Sequence, residues 1–341
     1  MLRALENSRL SEAVIPASVV LGGLISYAQD HGVDPDPWFN GVGLSGAQCQ
    51  EGDTRVSFRQ AARVIRRALH SLPKGAVGLQ LGSRNPLVSC GVLGFAAMSC
   101  RTLGEALELG VRHHQACGSL MDVMVEHEHG VTSLRVFERF PEPDLLPFLC
   151  EGVFASSLLM GRALLNDNFS PLRIELSYSP PAYSAAYRRL FNCAVHFDAG
   201  ANRVVFDASL QELPLATYSP TNLAAALSLC AQQMGEASPT SDIVTSVEHL
   251  LDEQRRDRRS MAQIAQQLHL TERSLRRKLM DAGQSFSEIR DRILERHARA
   301  MMRDTRLPLA AIAAELGFSD GREFRRAFRR WSGTAPRSAR E

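Results

Sequence analysis

The strongest constraint on this chain is a pattern that occurs twice, with Ile264 and Ile312 lying 312 − 264 = 48 residues apart. The first copy is framed by Ile264-Ala265, Leu268, Leu270, Thr271, Leu275 and Leu279. The second is framed by Ile312-Ala313, Leu316, Phe318, Ser319, Phe324 and Phe328, with one extra residue after the turn. Each copy reads as a short helix, a tight turn, a capping hydroxyl and a second helix, the order of a helix-turn-helix. Ala265 and Ala313 are small enough for the paired helices to approach closely. The pairs 275/279 and 324/328 stand at i, i+4 and bury one face of each second helix. Gly317 supplies a positive φ in the second turn without strain, and His269 takes its place in the first.

Burying one face of each second helix leaves the others to solvent, and arginine fills them. The exposed positions are Arg273, Arg276 and Arg277 in the first copy, and Gly321, Arg322, Arg325 and Arg326 in the second. Lys278, Arg329 and Arg330 lie further out and suit phosphate contacts that set register. Arg can grip guanine through two parallel hydrogen bonds, which makes the inner positions candidates for base reading. Trp331 reads as core. Charge supports the split. From Leu251 to Glu341 there are 21 Lys and Arg against 13 Asp and Glu, a balance of +8. The rest of the chain has 39 − 21 = 18 basic and 37 − 13 = 24 acidic residues, a balance of −6. A basic module on an acidic body points to a polyanion partner.

The stretch 232–241, small, polar and broken by Gly235 and Pro239, reads as a linker. It divides an N-terminal domain of residues 1–231 from an all-helical domain of residues 242–341. In the latter, Asp242 caps a helix to Gln254. The first helix-turn-helix covers about 260–281, with Ser260 and Thr271 as caps and Gly283 at its end. Ser287 caps a linking helix of about 287–303, some 25 Å long at 1.5 Å per residue. The second helix-turn-helix covers about 308–331, with Pro308 in its first turn and Ser319 capping its last helix. Before the linker the pattern is mixed α+β. Gln60–Ser71, Leu103–Cys117 and Leu146–Leu165 have helical spacing. "DVMVEHEHGVTSLRVFE" (122–138) alternates as two strands turning at His129-Gly130, "LRIELSYS" (172–179) is a strand, and "AVHFDAGANRVVFD" (194–207) reads as a second hairpin.

Enzyme chemistry finds no foothold. His113/His114 and His127/His129 lack a third ligand at metal spacing, so no metal site is assigned. No G-x-S-x-G is present, and "GLQLGSRNPLVSCG" (78–91) lacks the Lys-Ser/Thr ending of a phosphate loop. Cys90 and Cys100 have no evident base beside them. The seven cysteines form no C-x-x-C pair and suit buried thiols in a reducing cytoplasm. "VIPASVVLGGLISYA" (14–28) is too short to cross a membrane, and the run 146–165 carries Glu151 and Arg162. No catalytic residue, cofactor or membrane contact is expected.

The doubled unit, with "LGF" at its second turn and "RRAFRRWSGTAP" near its end, resembles the AraC/XylS transcription regulators. Residues 260–340 carry that likeness, although Ser338-Ala339 stand where the family usually has a tyrosine. The segments "GVLGFAAMSCRTLGEALELGVRHH" (91–114), "FNCAVHFDAGANRVVFD" and "LPLA" (213–216) are similar to the large N-terminal domain of one subgroup, often labelled arabinose-binding. The resemblance implies an α+β effector-binding and dimerisation domain, then a DNA-binding domain of two helix-turn-helix units joined by a long helix. It carries the base- or phosphate-contacting roles onto Arg273, Arg276, Arg277, Lys278, Gly321, Arg322, Arg325, Arg326 and Arg329. The function implied is a ligand-responsive, sequence-specific transcription activator. Its expected partners are double-stranded promoter DNA, a small-molecule effector, RNA polymerase and a second copy of the chain. The competing expectation is an architectural DNA binder with an oligomerisation domain and no effector. The ligand-binding residues are left open at this stage.

Overall fold

A computed structural model describes residues 11–51, 54–84, 90–114, 117–165, 169–235, 241–253, 259–304 and 307–336. The chain forms two units that are not two contiguous stretches. One holds Val14–Trp38 and Ala47–Pro239, and the other holds Met1–Ala13, Phe39–Gly46 and Thr240–Glu341. Phe39–Gly46 therefore pack with the C-terminal unit, which a single cut at 231 does not anticipate.

The sheet of the first unit grows from the hairpin read in the sequence. Strands β1 (Met121–Glu128) and β2 (Val131–Glu138) pair antiparallel from Met121↔Glu138 to Glu128↔Val131. His129 (φ 46°) and Gly130 (φ 82°) both take positive φ, as the favoured two-residue hairpin turn requires. Strands β3 (Arg173–Glu175), β4 (Ala194–His196) and β5 (Asn202–Asp207) complete a five-stranded sheet of order β1-β2-β5-β3-β4. The second expected hairpin does not form. β4 pairs parallel with β3, and β3 separates it from β5. A short helix, Ala185–Phe191, connects β3 to β4, so this part is a strand-helix-strand crossover.

The two sheet faces differ in chemistry. One carries an ion-pair ladder across four strands: Arg135 to Glu126 at 2.9 Å, Arg203 to Glu126 at 3.5 Å, Arg203 to Glu175 at 3.0 Å and Arg173 to Glu175 at 2.8 Å. The other presents Val123, Leu134, Val204, Phe206 and Ile174. Besides the short helices Ala17–Val20 and Gly46–Gln50, the described α-helices of this unit, in chain order with Ala185–Phe191 taking its place as α7, are α1 (Gly22–Asp30), α2 (Phe58–Ser71), α3 (Val77–Gly82), α4 (Val92–Met98), α5 (Leu103–Arg112), α6 (Leu146–Leu164) and α8 (Pro220–Gly235). Ser57 and Gln60 start α2 with a reciprocal capping box, and Thr102 caps α5. α5 ends at Arg112, short of the expected Cys117. α8 runs through 232–235, so the first part of the expected linker is helix, and 236–240 lie outside the described residues.

α3 and α6 cross backbone to backbone. A Cβ on Gly78 would sit 2.6 Å from the Phe148 carbonyl, and one on Gly82 would sit 2.4 Å from that of Gly152. This crossing buries Glu151, which is 1% exposed. Its Oε1 accepts from Tyr187 Oη at 2.5 Å and Tyr183 Oη at 2.8 Å, and the Leu79 and Gly78 amides also donate to the carboxylate. Burial nevertheless raises its pKa above the usual carboxylate range, the hydrogen bonds opposing only part of the desolvation.

The second unit is helical: α9 (Asp242–Glu253), α10 (Met261–Gln267), α11 (Glu272–Asp281), α12 (Phe286–Asp304), α13 (Leu309–Glu315) and α14 (Gly321–Ser332). It has two cores. Val244, Val247, Ile264, Leu275 and Leu279 meet Phe286, Ile289 and Ile293 in the first. Ile312, Leu316, Phe318, Phe324 and Phe328 meet Leu294, Ala298 and Met302 in the second. Trp331 packs against Phe318, ring centroids 5.9 Å apart, as a core residue. Asp252 on α9 accepts from His297 and from Arg296 (3.1 Å) on α12, and the His297 bond leads in holding its pKa at about 2. Among the described residues no helix is long and apolar enough to cross a membrane.

Glu151 makes a prediction with a definite sign. Its folded-state pKa is raised, so the stability linked to its protonated form is complete below the unfolded carboxylate value of about 4.3. That stability is lost as pH rises through the higher folded value. Glu151→Gln should flatten this limb of a urea-denaturation pH series, and Tyr187→Phe should cost about 1–3 kcal/mol by leaving the carboxylate under-bonded.

Candidate nucleic-acid interface and ligand cavity

Each helix-turn-helix is locked by local chemistry. Ser260 and Gln263 form a capping box on α10, and Thr271 Oγ1 accepts from the Ser274 amide at 3.1 Å to start α11. His269 (φ 54°) and Gly317 (φ 68°) hold equivalent left-handed positions in the two turns. Two caps differ from expectation. Ser285, not Ser287, starts α12, because Glu288 three residues on completes its capping box: the Ser285 amide donates to Glu288 at 2.8 Å. Asp320, not Ser319, caps α14, its Oδ1 accepting from the Arg322 and Glu323 amides at 2.7 Å each. Those bonds, Glu323's first, hold the Asp320 carboxyl below its ordinary pKa. Ser319 instead donates to Glu323 Oε2 at 2.8 Å.

The expected contact positions fall on the outer faces of α11 and α14. Arg273, Arg276, Arg277, Arg322, Arg325, Arg326 and Arg329 are exposed, while Lys278 and Gly321 are half-buried. The way the cations are spent separates these faces from several arginines elsewhere in the unit. On α12, Arg292 pairs with Glu248 at 2.5 Å, Arg296 with Asp252, and Arg299 with Glu295 at 2.8 Å while also covering the Phe328 ring. Arg330 is likewise tied to Asp291 at 2.8 Å. By contrast, Arg273, Arg277, Arg322, Arg325, Arg326 and Arg329 make no ion pair among the described residues. Arg276 alone among the inner arginines has one, to Glu272 at 3.1 Å on an exposed helix face. Unneutralised guanidinium groups on two protruding helices suit phosphate and guanine.

One residue on this surface escaped the sequence reading. Met280 is 69% exposed and continues the line of Arg273, Arg276 and Arg277 along α11. A large apolar side chain at that spacing suits the methyl group of thymine, and its i+3/i+4 offset from the arginines was the available signal.

The first unit holds a cavity of about 580 Å³. The apolar face of the sheet forms its floor through Met121, Val123, Leu134, Val204 and Phe206. α5 turns Leu103, Ala106, Leu107, Gly110 and Val111 toward it, a run at helical spacing. α6 contributes Leu149, Gly152, Val153, Ser156 and Met160, while its opposite face buries Cys150, Phe154 and Leu158. Gly23 and Leu24 of α1 close one side. Cys90 and Cys117, both free thiols, also line the wall, and their mutual interaction together with burial raises the pKa of Cys117. The histidines considered as ligands have other roles. His114 meets Asp122 at 3.3 Å and His127 meets Thr132 at 3.2 Å, and no group of three or more metal-ligating side chains occurs among the described residues.

Two family models match the chain. The arabinose-binding domain of AraC transcription regulators matches residues 32–215, and a helix-turn-helix domain matches residues 264–341. The ornithine utilization regulator of Pseudomonas aeruginosa is 29% identical over 322 residues, covering 93% of this chain and 94% of that protein. An uncharacterized HTH-type transcriptional regulator of Mycobacterium tuberculosis is 24% identical over 318 residues, 92% of each chain. The crystal structure of the transcriptional regulator CdpR from Pseudomonas aeruginosa, 23% identical, covers 94% of this chain and 98% of its own, with a TM-score of 0.49.

Gly321 offers a clean test of the surface. Its φ is not positive, and a Cβ built there meets nothing within 4 Å, so the fold itself has no need of glycine. Gly321→Ala should leave the thermal midpoint unchanged or slightly raised, and any loss of DNA affinity it causes, read by electrophoretic shift, would report a close approach of the DNA backbone.

Proposed function

The chain belongs to the AraC family of transcription regulators, and we propose that it is a ligand-responsive activator whose two helix-turn-helix units read two major-groove segments of a promoter. DNA-binding transcription regulation is common to the family and its relatives, and none of them is an enzyme. The finer reading rests on one observation above the others: Arg273, Arg277, Arg322, Arg325, Arg326 and Arg329 of α11 and α14 make no ion pair among the described residues, while Arg292, Arg296 and Arg299 of α12 are paired. α12 has 19 residues and spans about 28 Å. A spacer of that order suits recognition helices in successive major grooves, one DNA turn of about 34 Å apart. Arg273, Arg276, Arg322, Arg325 and Arg326 are assigned to base edges or nearby phosphates, with Met280 beside them. Arg277, Lys278 and Arg329 are assigned to phosphates, and Gly321 to backbone approach. Arg330, held by Asp291, ties α14 to α12 instead.

The cavity is assigned to an effector, which acts by population shift: it binds one state of the chain more tightly and moves the equilibrium toward it. A covalent route for that coupling exists. α1, which walls the cavity, leads in sequence to Phe39–Gly46, where Val42 O accepts from Ser246 Oγ of α9 at 3.3 Å. Dimerisation through the N-terminal unit, contact with RNA polymerase and residence in the cytoplasm complete the reading.

Arg326→Ala should weaken operator binding by about 1–3 kcal/mol, roughly 5- to 150-fold, with the circular dichroism melt unchanged. Arg329→Ala should lower affinity for all sequences alike and reduce the slope of log K against log salt by about 0.9. Footprints on genomic fragments should show paired half-sites and a specific-to-nonspecific ratio of at least about a thousand. Diffuse occupancy would point instead to an architectural binder.

A further inference from the structure

The cavity wall is selective in its chemistry, and it selects against the sugar that the domain's label suggests. Its surface is overwhelmingly hydrocarbon. Three of the hydroxyls that reach it donate to main-chain carbonyls: Ser119 to Met121 at 2.9 Å, Ser156 to Gly82 at 3.1 Å and Ser157 to Val153 at 2.8 Å. A polyol or a free amino acid brings several donors and acceptors that this wall would leave unpaired, each costing about 1–3 kcal/mol. A pentose would also leave most of a 580 Å³ cavity empty.

Charge narrows the class further. Among the described residues no Asp, Glu or Lys lines the cavity, and the lining nitrogen bases are Arg84 and His114. Arg84 sits at the rim, 43% exposed, with its guanidinium 5.6 Å over the Tyr27 ring and 2.9 Å from Asp30. A ligand ammonium would meet the Arg84 cation and, among the described lining residues, no carboxylate, whereas an anionic head would meet a guanidinium, a group that can bridge two carboxylates. Gly152 shows where the hydrocarbon body goes. It lies mid-helix on the cavity face of α6, and a Cβ there meets nothing within 4 Å.

We propose that this cavity binds a hydrophobic monoanion, an alkyl or alkyl-aromatic body on the hydrocarbon wall with a single carboxylate at Arg84. The proposal rests on the effector reading above and names its chemical class. It also separates this chain from a sensor of a basic amino acid.

Titration calorimetry on the full chain, below micellar concentrations, tests it with dodecanoate, para-butylbenzoate, the dodecyltrimethylammonium cation, arabinose and ornithine as probes. One or both carboxylates should bind, and which of them binds distinguishes an alkyl from an alkyl-aromatic source. The cation, the sugar and ornithine should give no heat. Gly152→Leu starts from a Cβ position with nothing within 4 Å and replaces a helix-interior glycine with a better helix former. It should therefore abolish carboxylate binding while keeping the melting temperature and DNA affinity. Arg84→Gln should weaken carboxylate binding about tenfold and leave dodecanol binding unchanged. Binding of arabinose or ornithine in place of the carboxylates would overturn the class but leave the sensor reading standing. Carboxylate binding unaffected by Gly152→Leu, or no binding by either carboxylate, would also overturn it. Carboxylate binding as described with no change in operator affinity or transcription would keep the class and remove the sensor role.

Discussion

A single helix that has to complete two cores governs the C-terminal unit. α12 gives Phe286, Ile289 and Ile293 to one core and Leu294, Ala298 and Met302 to the other, and the handover falls between adjacent residues 293 and 294. Adjacent helical positions differ by about 100°, so the two helix-turn-helix units are set on different sides of one rod. Neither unit shares a core with the other, and their relation is carried by a hydrogen-bonded helix. Arg292, Arg296, Arg299 and Asp291 of α12 are then spent on ion pairs to α9, α14 and α12 itself. Apart from Arg276 and Arg330, the arginines of α11 and α14 make no such pair among the described residues. Exposure alone would not argue for a partner, because exposed arginines are common. The contrast between paired and unpaired cations in one small unit does.

The N-terminal unit is organised by what is missing. α6 buries Cys150, Phe154 and Leu158 on one side and offers Gly152 and Ser156 on the other. Large side chains at those two positions would have made an ordinary core between sheet and helices. Small ones leave a hollow whose walls are still hydrocarbon. The same helix is fixed by the backbone-close crossing at Gly78 and Gly82, and by the buried carboxylate of Glu151 with its two tyrosines. A cavity next to so constrained a helix does not collapse easily, since collapse would have to move a backbone-to-backbone contact.

How much of this was legible depends on the range of the interaction. The β1-β2 hairpin was legible because His129-Gly130 is a two-residue turn with flanking alternation, all of it local. The helix-turn-helix pair was legible because the repeat of Ile-Ala, turn and i, i+4 pair states its own packing. The caps were missed by one or two residues where hydroxyls or carboxylates compete: Ser287 against Ser285, and Ser319 against Asp320. In the first case the Glu288 partner decided, and in the second the shorter carboxylate reached two amides. Residues 194–207 misled because a glycine between two apolar runs looks like a hairpin, and nothing local announces that β3 will enter between β4 and β5. The cavity was invisible for a plainer reason. Leu103, Ala106, Leu107 and Val111 have the spacing of any core-facing helix, and only the third dimension tells a filled face from a hollow one.

Phe39–Gly46 show the same limit and suggest why it matters. Gly41 and Gly43 take positive φ (68° and 77°), and neither has room for a side chain. A Cβ on Gly41 would lie 2.3 Å from the His269 ring, and one on Gly43 would lie 2.4 Å from Ser246 Cβ. The segment is thus seated on the turn of the first helix-turn-helix and on α9, with Val42 and Leu44 buried. Read linearly, these residues belong to the domain that holds the cavity. Packed, they belong to the domain that holds the arginines. The glycine backbone is here pressed directly against the side chains of His269, Ser246 and Leu268, so the segment cannot shift without moving them. The same residues that spoil a simple two-domain division are therefore the ones through which, on the proposed effector reading, an event in the cavity would bias the DNA-binding unit.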